Sequence, residues 1–414
     1  MKEKAVQHLK NLSASKILAV LFLVFLLYIG SAAVPQLLSN SGIALEENKT
    51  FSQFIELIDE QYHGMLSLKT DQDPLHIKST YINFNGYIAK LMGQQEMNER
   101  YKLKNGHMHQ ERAAISEELF EDIYQNLLLL DKRQKDNGKN FLFVLAPFQL
   151  YQYEDLMPIG FTDYYNEIGD RLIARLEESG VLCLDLRKTM EQAGFTNEEA
   201  FFITDHHWKP ETGFWAYGNI LEKLAENGSI SPVNTFYTDP ENFNFTVYED
   251  AFLGSSGKRT GIYYAGVDDF CLITPKFDTE ISLTIDNSSI NISGTFPEVA
   301  FRSDATAVCE KRDYFNQNPY GIYGRGDNGL MHWDNENAPE QQKVMLIGDS
   351  YGNVPFSFMS LYFSSCKELD MRYFKRDFAE FYNEYSPDHF IVLVNLFSIN
   401  TRNLLYDFFP ESDS

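Results

Sequence analysis

The chain has 414 residues, of which 44% are hydrophobic, so it can bury one large core or two cores of ordinary size. This composition argues against a disordered or fibrous protein. Acidic residues number 59 against 35 basic ones, and the net charge of −24 repels polyanions, so we predict no nucleic-acid partner.

An uncharged run at residues 17–34, ILAVLFLVFLLYIGSAAV, has about the length that is needed to cross a membrane. Lysines dominate the segment before it, at Lys2, Lys4, Lys10 and Lys16. The positive-inside bias predicts a cytoplasmic tail at residues 1–16, a transmembrane signal anchor at 17–34, and an extracellular remainder in a single-pass protein of the cell membrane. Cleavage after Ala33, which would release a secreted protein, stays open, because Ser31 and Ala33 are small.

Residues 35–113 are polar, and we interpret them as a stalk or cap segment. Within them, His107 and His109 in NGHMHQE lack a convincing metal-ligand partner in the sequence, which predicts solvated polar side chains.

From residue 114 to 410, amphipathic helices alternate with short apolar strands, which predicts an α/β domain with a parallel sheet covered by helices. Its first part has predicted strands at Phe141–Ala146 and Val181–Leu186 and predicted helices at about 164–178 and 210–226. Residues 235–335 are rich in Asn, Ser, Thr and Tyr and predict a β-rich insertion. Beyond it we predict, in order, strand Val344–Ile347, helix Pro355–Phe363, strand Leu369–Phe374, helix Phe378–Tyr385 and strand Phe390–Val394.

The four cysteines are far apart and show no C-x-x-C spacing, which argues against a zinc or thioredoxin-like site. An oxidising exterior would permit a disulfide, and Cys271 and Cys309 are the two cysteines that lie nearest to each other in the sequence. The sequence leaves that disulfide open.

In KVMLIGDSYGNVPF an apolar strand leads directly into Gly348, Asp349 and Ser350 and then into a helix. A serine at such a corner is exposed at the carboxyl edge of the sheet, where open α/β folds bind ligands. Gly348 allows the tight turn, and Asp349 can hold it by side-chain hydrogen bonds. The backbone N–H groups of Ser350 and Tyr351 are the predicted oxyanion donors.

A serine nucleophile requires a base, and the base requires an orienting group. The segment FFITDHHWKPETG supplies Asp205 and His207 on a predicted loop. There the carboxylate can accept the Nδ1 proton of His207 and leave Nε2 free to act as base. His206 is an alternative base, and the residues could also serve merely as a helix cap before Pro210.

A metal cluster of Asp205, His206 and His207 is the competing interpretation, because the same three letters mark manganese-dependent DHH phosphoesterases. Those enzymes need further Asp and His ligands, which the sequence does not show. We predict no metal and no cofactor.

The combination D-H-H-W-x-P followed, after an insertion, by G-D-S-Y resembles the DHHW family, which is related to the SGNH-like domains of the alginate acetylation proteins. The likeness extends from about Asn83 to Val394 and implies an SGNH-hydrolase-like, flavodoxin-like α/β fold. Asp205, His207 and Ser350 match the family's triad. The chain departs from the alginate proteins in two ways: Phe148 and Gln149 stand where a lysine commonly follows the proline, and no carbohydrate-binding module is appended.

The resemblance implies an extracytoplasmic O-acetyltransferase that modifies a polysaccharide through an acyl-serine, with a multipass membrane O-acyltransferase as partner and acetyl donor. The net charge favours a neutral or amino-sugar acceptor over a polyanion such as alginate. An acetylesterase with the same triad and a non-catalytic polysaccharide-binding scaffold stay as alternatives. The predicted substrate contacts are Arg372, Trp208, Tyr263, Tyr264 and Trp333.

Overall fold

The computed structural model describes residues 23–24, 77–110, 114–150, 156–158, 164–399 and 401–410. The predicted anchor at 17–34 lies outside these residues, apart from Leu23 and Val24, which are helical. In the part of the chain that is described, no helix is long and apolar enough to cross a membrane. Residues Gly86–Ser414 form one compact unit and Met1–Asn85 another. The larger unit therefore includes residues 86–110, from the segment that we interpreted as a stalk or cap.

Strands and helices alternate along most of the larger unit. The strands are β1 (Glu96–Met97), β2 (Arg100–Lys102), β3 (Met108–His109), β4 (Asn140–Ala146), β5 (Cys183–Asp185), β6 (Phe243–Phe252), β7 (Asp268–Pro275), β8 (Ile281–Ile285), β9 (Asn291–Gly294), β10 (Leu330–Asp334), β11 (Glu340–Gly348), β12 (Phe363–Leu369) and β13 (His389–Asn395). The helices are α1 (Ile77–Leu91), α2 (Glu117–Asp136), α3 (Tyr165–Glu178), α4 (Leu186–Ala193), α5 (Asn197–Ala200), α6 (Pro210–Glu226), α7 (Ser255–Thr260), α8 (Ile262–Ala265), α9 (Phe296–Ala300), α10 (Ala305–Lys311), α11 (Asn353–Tyr362), α12 (Phe378–Tyr385) and α13 (Arg402–Leu405).

Eight strands form the main sheet, in the order β5-β4-β13-β11-β12-β10-β8-β9. Neighbours from β5 to β12 pair in parallel, whereas β12, β10, β8 and β9 pair antiparallel. The predicted α/β architecture is present, but the sheet is mixed and not parallel throughout. The predicted insertion at 235–335 contributes β8 to β10 to this sheet, and it also holds the separate antiparallel pair β6-β7.

Strands β4 and β13 are apolar and buried along almost their whole length because both faces of the sheet are covered there. Side chains alternate between the faces, so Val144 and Leu346 belong to one hydrophobic core. Phe143 and Met345 belong to the core on the opposite face. This packing fixes the register of β11, the strand that ends beside Ser350.

Helices predicted at 210–226 and Phe378–Tyr385 are confirmed at those bounds. The strand predicted at Leu369–Phe374 is wrong, because the strand occupies Phe363–Leu369 and ends where the predicted one begins. Its sequence, FSSCKEL, is too polar to stand out as an apolar run, yet it lies between β11 and β10.

His107 and His109 are buried and not solvated, contrary to the prediction. The His109 ring packs against Phe148 and Phe397, and burial lowers its pKa to about 3, so it is neutral in ordinary buffers. The four cysteines are also buried, and all are free thiols, so Cys271 and Cys309 are not joined in this structure.

A buried arginine joins α3 to the start of α4. Arg187 is 2% exposed, and its guanidinium donates to both oxygens of Asp185 at 2.9 and 2.7 Å. It also donates to Asp170 Oδ1 at 2.9 Å and to Asn166 Oδ1 at 3.2 Å. Removing the cation would leave the buried Asp185 charge with only the exposed Lys188 ammonium, 3.9 Å away, to offset it.

Arg187→Met keeps most of the aliphatic stem and removes the charge. We expect it to lower the free energy of unfolding by about 3 kcal/mol, measured by urea denaturation, because one partner of a buried ion pair is lost. Arg259→Met is the matched control, since Arg259 is exposed and its substitution should cost less than about 0.5 kcal/mol. Equal losses in the two variants would contradict this role for Arg187.

A buried carboxyl group lies in β12. Glu368 accepts a hydrogen bond from the Trp333 indole N–H at 3.2 Å. Burial raises the pKa of the Glu368 carboxyl to about 8; the Trp333 hydrogen bond lowers the pKa, and the nearby Asp370 and Asp327 raise it. The folded state therefore favours the protonated carboxyl.

Because this folded pKa lies above the unfolded value of about 4.3, the stabilisation from protonation is lost as the pH rises through about 8. We expect Glu368→Gln to match the wild type in free energy of unfolding near pH 5 and to exceed it by about 1 kcal/mol or more near pH 9. Glu336→Gln, at an exposed glutamate, should show no such divergence. Parallel pH profiles for the wild type and the Glu368 variant would disprove the assignment.

Candidate active site

Ser350 follows the carboxyl end of β11, which lies between β13 and β12 in the main sheet. A one-turn 3-10 helix, Ser350–Gly352, leads directly into α11. Gly348 is required for close approach, because a Cβ atom there would lie 2.7 Å from the Phe356 ring and 3.2 Å from the Leu393 carbonyl oxygen. The sequence G-D-S thus produces the strand-to-helix corner that was predicted for the nucleophile.

The Asp349 side chain stabilises this strand-to-helix corner through hydrogen bonds. It is buried, its Oδ1 accepts the Tyr351 N–H at 2.8 Å, and its Oδ2 accepts the Asn395 side-chain amide at 3.0 Å. Burial raises its pKa, although hydrogen bonds from Ser398 and the Tyr351 N–H, and the nearby Arg372 and His207, oppose the shift. Because the Tyr351 N–H is engaged by Asp349, only the Ser350 N–H is left of the two predicted oxyanion donors.

The loop that carries the base is closed by backbone bonds at its two ends. Phe201 and Trp208 form an isolated antiparallel bridge, and the Phe202 N–H donates to the His207 carbonyl oxygen at 3.3 Å. This tight turn brings residues two apart in sequence onto the same side. The Asp205 and His207 side chains therefore meet, which a helix would have prevented.

Asp205, His207 and Ser350 form a continuous hydrogen-bonded chain. His207 Nδ1 lies 2.5 Å from Asp205 Oδ1, and His207 Nε2 lies 2.6 Å from Ser350 Oγ. With Nδ1 protonated and donating to the carboxylate, Nε2 is the acceptor for the serine hydroxyl proton. The structure thus brings together the three side chains that the sequence proposed as catalytic, 143 residues apart along the chain.

The Asp205 carboxylate is buried and remains ionised. Burial alone would raise its pKa, but the adjacent His206 and His207 rings, the His207 hydrogen bond and the Ser255 N–H together lower the pKa well below its usual range. The Ser255 N–H donates to Asp205 Oδ2 at 2.5 Å. Gly254 makes this approach possible, since a Cβ there would lie 2.2 Å from Asp205 Cβ.

Two rings pack closely against His207. Tyr320 is stacked on it with ring centroids 4.0 Å apart, and His206 lies against it at 3.9 Å. His206 was the alternative base, but its Nδ1 faces Ser255 Oγ at 3.3 Å, whereas His207 contacts Ser350. The geometry therefore favours His207 as the base.

The same loop could bind a metal only by disrupting this chain. Donor atoms of Asp205, His206 and His207 lie within 4.8 Å of one another. Both ring nitrogens of His207 are engaged, however, one by Asp205 and the other by Ser350. A metal would have to replace these hydrogen bonds, so the arrangement fits proton transfer better than coordination.

Of the five predicted substrate contacts, three are buried and two are at least partly exposed. Trp208, Tyr264 and Trp333 are fully or almost fully buried, so none offers an open ring face to a sugar; they are packing residues, which corrects the prediction. Tyr263 is 53% exposed and retains a free surface. Arg372 is partly exposed and is paired with Asp370 at 2.5 Å, so a substrate would have to share it with that carboxylate.

Sequence reasoning missed several residues that support the site. Gln149 is buried, and its side-chain amide donates to the backbone oxygens of Asp205 and Phe202 at 2.7 and 3.0 Å. Tyr320 and Ser255 were not singled out either. Ser255 lies in the segment FLGSSGKRTG, whose glycines indicate close backbone approach without showing which residue is approached.

Known proteins resemble this chain at two levels, in sequence and in fold. Residues 105–240, about a third of the chain, match the family model for the SGNH hydrolase-like domain of the acetyltransferase AlgX. No curated protein matches the sequence.

Solved structures extend the likeness over most of the chain. Bacillus cereus PatB1 with a sulfonyl adduct is similar with a TM-score of 0.59 and 16% identity, over 72% of this chain and 97% of that one. A DHHW family protein from Eubacterium siraeum gives a TM-score of 0.53 and 17% identity, over 76% and 98%. Identities this low show the fold alone. Together with the family match, they confirm the predicted resemblance: the chain carries an α/β SGNH hydrolase-like domain similar to those of the DHHW and alginate acetylation proteins.

Proposed function

We propose that the protein is an extracytoplasmic serine-dependent O-acetyltransferase that acts on a cell-surface or secreted polysaccharide. The observation that carries this proposal is the hydrogen-bonded chain from Asp205 through His207 to Ser350, with distances of 2.5 and 2.6 Å. The AlgX family match adds the reaction class, since the matching domain is described as an acetyltransferase.

In the first half-reaction, Ser350 Oγ attacks the carbonyl carbon of an acetyl donor while His207 Nε2 removes the hydroxyl proton. Asp205 stabilises the imidazolium that forms. When the bond between the carbonyl carbon and the leaving group breaks, His207 returns the proton to the leaving group. We expect the Ser350 N–H to donate to the transient oxyanion, a contribution of about 3 kcal/mol for one such donor.

In the second half-reaction, a sugar hydroxyl replaces the leaving group. His207 removes its proton, the oxygen attacks the acetyl carbonyl carbon, and the ester bond to Ser350 breaks as Ser350 Oγ takes back the proton. If water attacks in place of the sugar, the product is acetate and the protein is an esterase. Only exclusion of water by the bound acceptor separates these two outcomes.

Charge guides the choice of acceptor and partner. A net charge of −24 disfavours polyanionic chains, so we propose a neutral or amino-sugar polysaccharide as the acceptor. A multipass membrane O-acyltransferase is the proposed acetyl donor. The apolar run at residues 17–34 would anchor the protein beside it.

The proposal is tested with the purified full-length protein, p-nitrophenyl acetate and intact-mass spectrometry. We expect p-nitrophenol release and an acetyl adduct, both lost in Ser350→Ala because the nucleophile is removed. Ser303→Ala, at an exposed serine, is the matched control and should behave as wild type. A sulfonyl fluoride should also modify the wild type but not Ser350→Ala; PatB1 carries a sulfonyl adduct.

Neutral glucan, chitin oligosaccharides and a polyuronate are then added separately to the same reaction. Acetylated glycan identifies a transferase, and acetate alone identifies the esterase. If wild type and Ser350→Ala are indistinguishable in turnover and adduct, the serine mechanism fails, and a non-catalytic polysaccharide-binding protein becomes the better interpretation.

Asp205→Asn tests the orienting carboxylate. We expect kcat for p-nitrophenyl acetate to fall about 10³- to 10⁴-fold, because the amide favours the wrong tautomer of His207 and cannot stabilise the imidazolium. Steady-state kinetics measure the effect, and Asp304→Asn, at an exposed aspartate, is the control. A loss of less than about tenfold would show that Asp205 does not orient the base.

A further inference from the structure

We propose that Asp268 and Thr204 are positioning residues that fix the orientation of Asp205, and this inference rests on the proposed function. The side chains of these two residues form hydrogen bonds with each other and with backbone N–H groups, and not with His207 or Ser350. Their effect on the reaction would pass through the short segment Gly254–Ser255, which contacts the Asp205 carboxylate.

We call the hydrogen-bonded path from Asp268 through Thr204 and Gly254–Ser255 to Asp205 the relay. It begins at Asp268, which is buried and is the first residue of β7. Its Oδ1 accepts the Ile203 N–H at 2.8 Å, and its Oδ2 accepts the Thr204 N–H at 2.8 Å and the Thr204 hydroxyl at 2.5 Å. One carboxylate thus holds the backbone of the two residues that precede Asp205 on the catalytic loop.

These contacts determine how the Thr204 hydroxyl is oriented. Burial raises the pKa of Asp268, and its hydrogen bonds with Thr204 and the Ile203 N–H oppose that shift. The Thr204 hydroxyl donates its proton to Asp268 Oδ2. Its lone pairs are then free to accept the Gly254 N–H, which lies 2.8 Å away. The Thr204 carbonyl oxygen accepts the Gly257 N–H at 2.9 Å. Residues 254–257 are therefore attached to the catalytic loop through Thr204.

The relay ends on the catalytic carboxylate. Next to Gly254, the Ser255 N–H donates to Asp205 Oδ2 at 2.5 Å, while Oδ1 contacts His207 Nδ1. Because the two carboxylate oxygens have separate partners, a displaced Ser255 N–H would allow the carboxylate to rotate away from the His207 ring. Catalytic groups tolerate deviations of only about 0.5 Å and 10–20°, so a small rotation would be costly.

Thr204→Val is nearly isosteric and removes the hydroxyl, whereas Thr204→Ser retains it. For p-nitrophenyl acetate we expect Thr204→Val to lower kcat about 10- to 100-fold with KM within about twofold, and Thr204→Ser to stay within about threefold of wild type. Thr212→Val is the matched control, because Thr212 is also fully buried and donates one hydrogen bond, to the Ala200 carbonyl oxygen at 2.9 Å. It should retain wild-type kcat.

A second readout requires no turnover. The His207 Nδ1 proton, shared with Asp205 over 2.5 Å, should give a low-field proton resonance in the full-length protein. We expect it to move upfield or broaden in Thr204→Val and in Asp268→Asn, and to stay in place in Thr204→Ser and Thr212→Val. If Thr204→Val does not fold, Asp268→Asn serves in both measurements.

Wild-type kcat in a folded Thr204→Val, or an unmoved His207 resonance in both Thr204→Val and Asp268→Asn, would overturn the relay. An equal loss of kcat in Thr212→Val would also overturn it, since the effect would then be general destabilisation. Failure of the proposed function is distinguishable: in that case wild type itself would show no Ser350-dependent adduct, whereas the resonance would still report whether the relay exists.

Discussion

The sheet fixes the position of Ser350, and the loop that carries Asp205 and His207 must place its side chains within hydrogen-bonding distance of that serine. β11 lies between β13 and β12, with parallel pairing on both sides and apolar side chains packed on both faces. A shift of one residue in that strand would exchange its two buried faces, so the register is strongly specified. The end of the strand, and with it the serine, is thus rigid. The catalytic loop is shaped by backbone and side-chain hydrogen bonds to meet it.

Buried carboxylates near the serine differ in their electrostatics because their partners differ. Asp205 lies against two imidazole rings and has a lowered pKa, whereas Asp349 has mainly neutral donors and a raised pKa. The first keeps its charge and can balance an imidazolium. The second acts on the backbone turn and on Asn395. Burial is common to both, so the neighbouring groups decide the chemistry.

Much of the site could be predicted because its signals are local. The apolar strand before G-D-S and the loop around D-H-H require only neighbouring residues to be recognised, and both lie where the sequence placed them. Contacts between distant segments leave no such signal: nothing local in the sequence shows that Gly254 must lack a side chain because Asp205 lies against it. Likewise, the sequence around Trp208 does not show whether its ring binds a sugar or packs in the core, where the structure places it.

The mixed sheet escaped prediction for a related physical reason. Strand β12 is polar in sequence, yet it lies in the middle of the sheet. In β8 to β10, polar and apolar residues alternate as in a hairpin with one solvent-exposed face, yet these strands extend the same sheet. Periodicity reports which faces of a strand are buried and says little about which strands are neighbours.

The four buried thiols have a consequence for the covalent structure of the protein. Burial raises the pKa of each thiol, so the reactive thiolate is scarce and access to oxidants is poor. The fold therefore depends on no covalent cross-link between cysteines. Because the thiolates are scarce and shielded, we expect the folded protein to keep the same covalent structure in reducing and in oxidising surroundings.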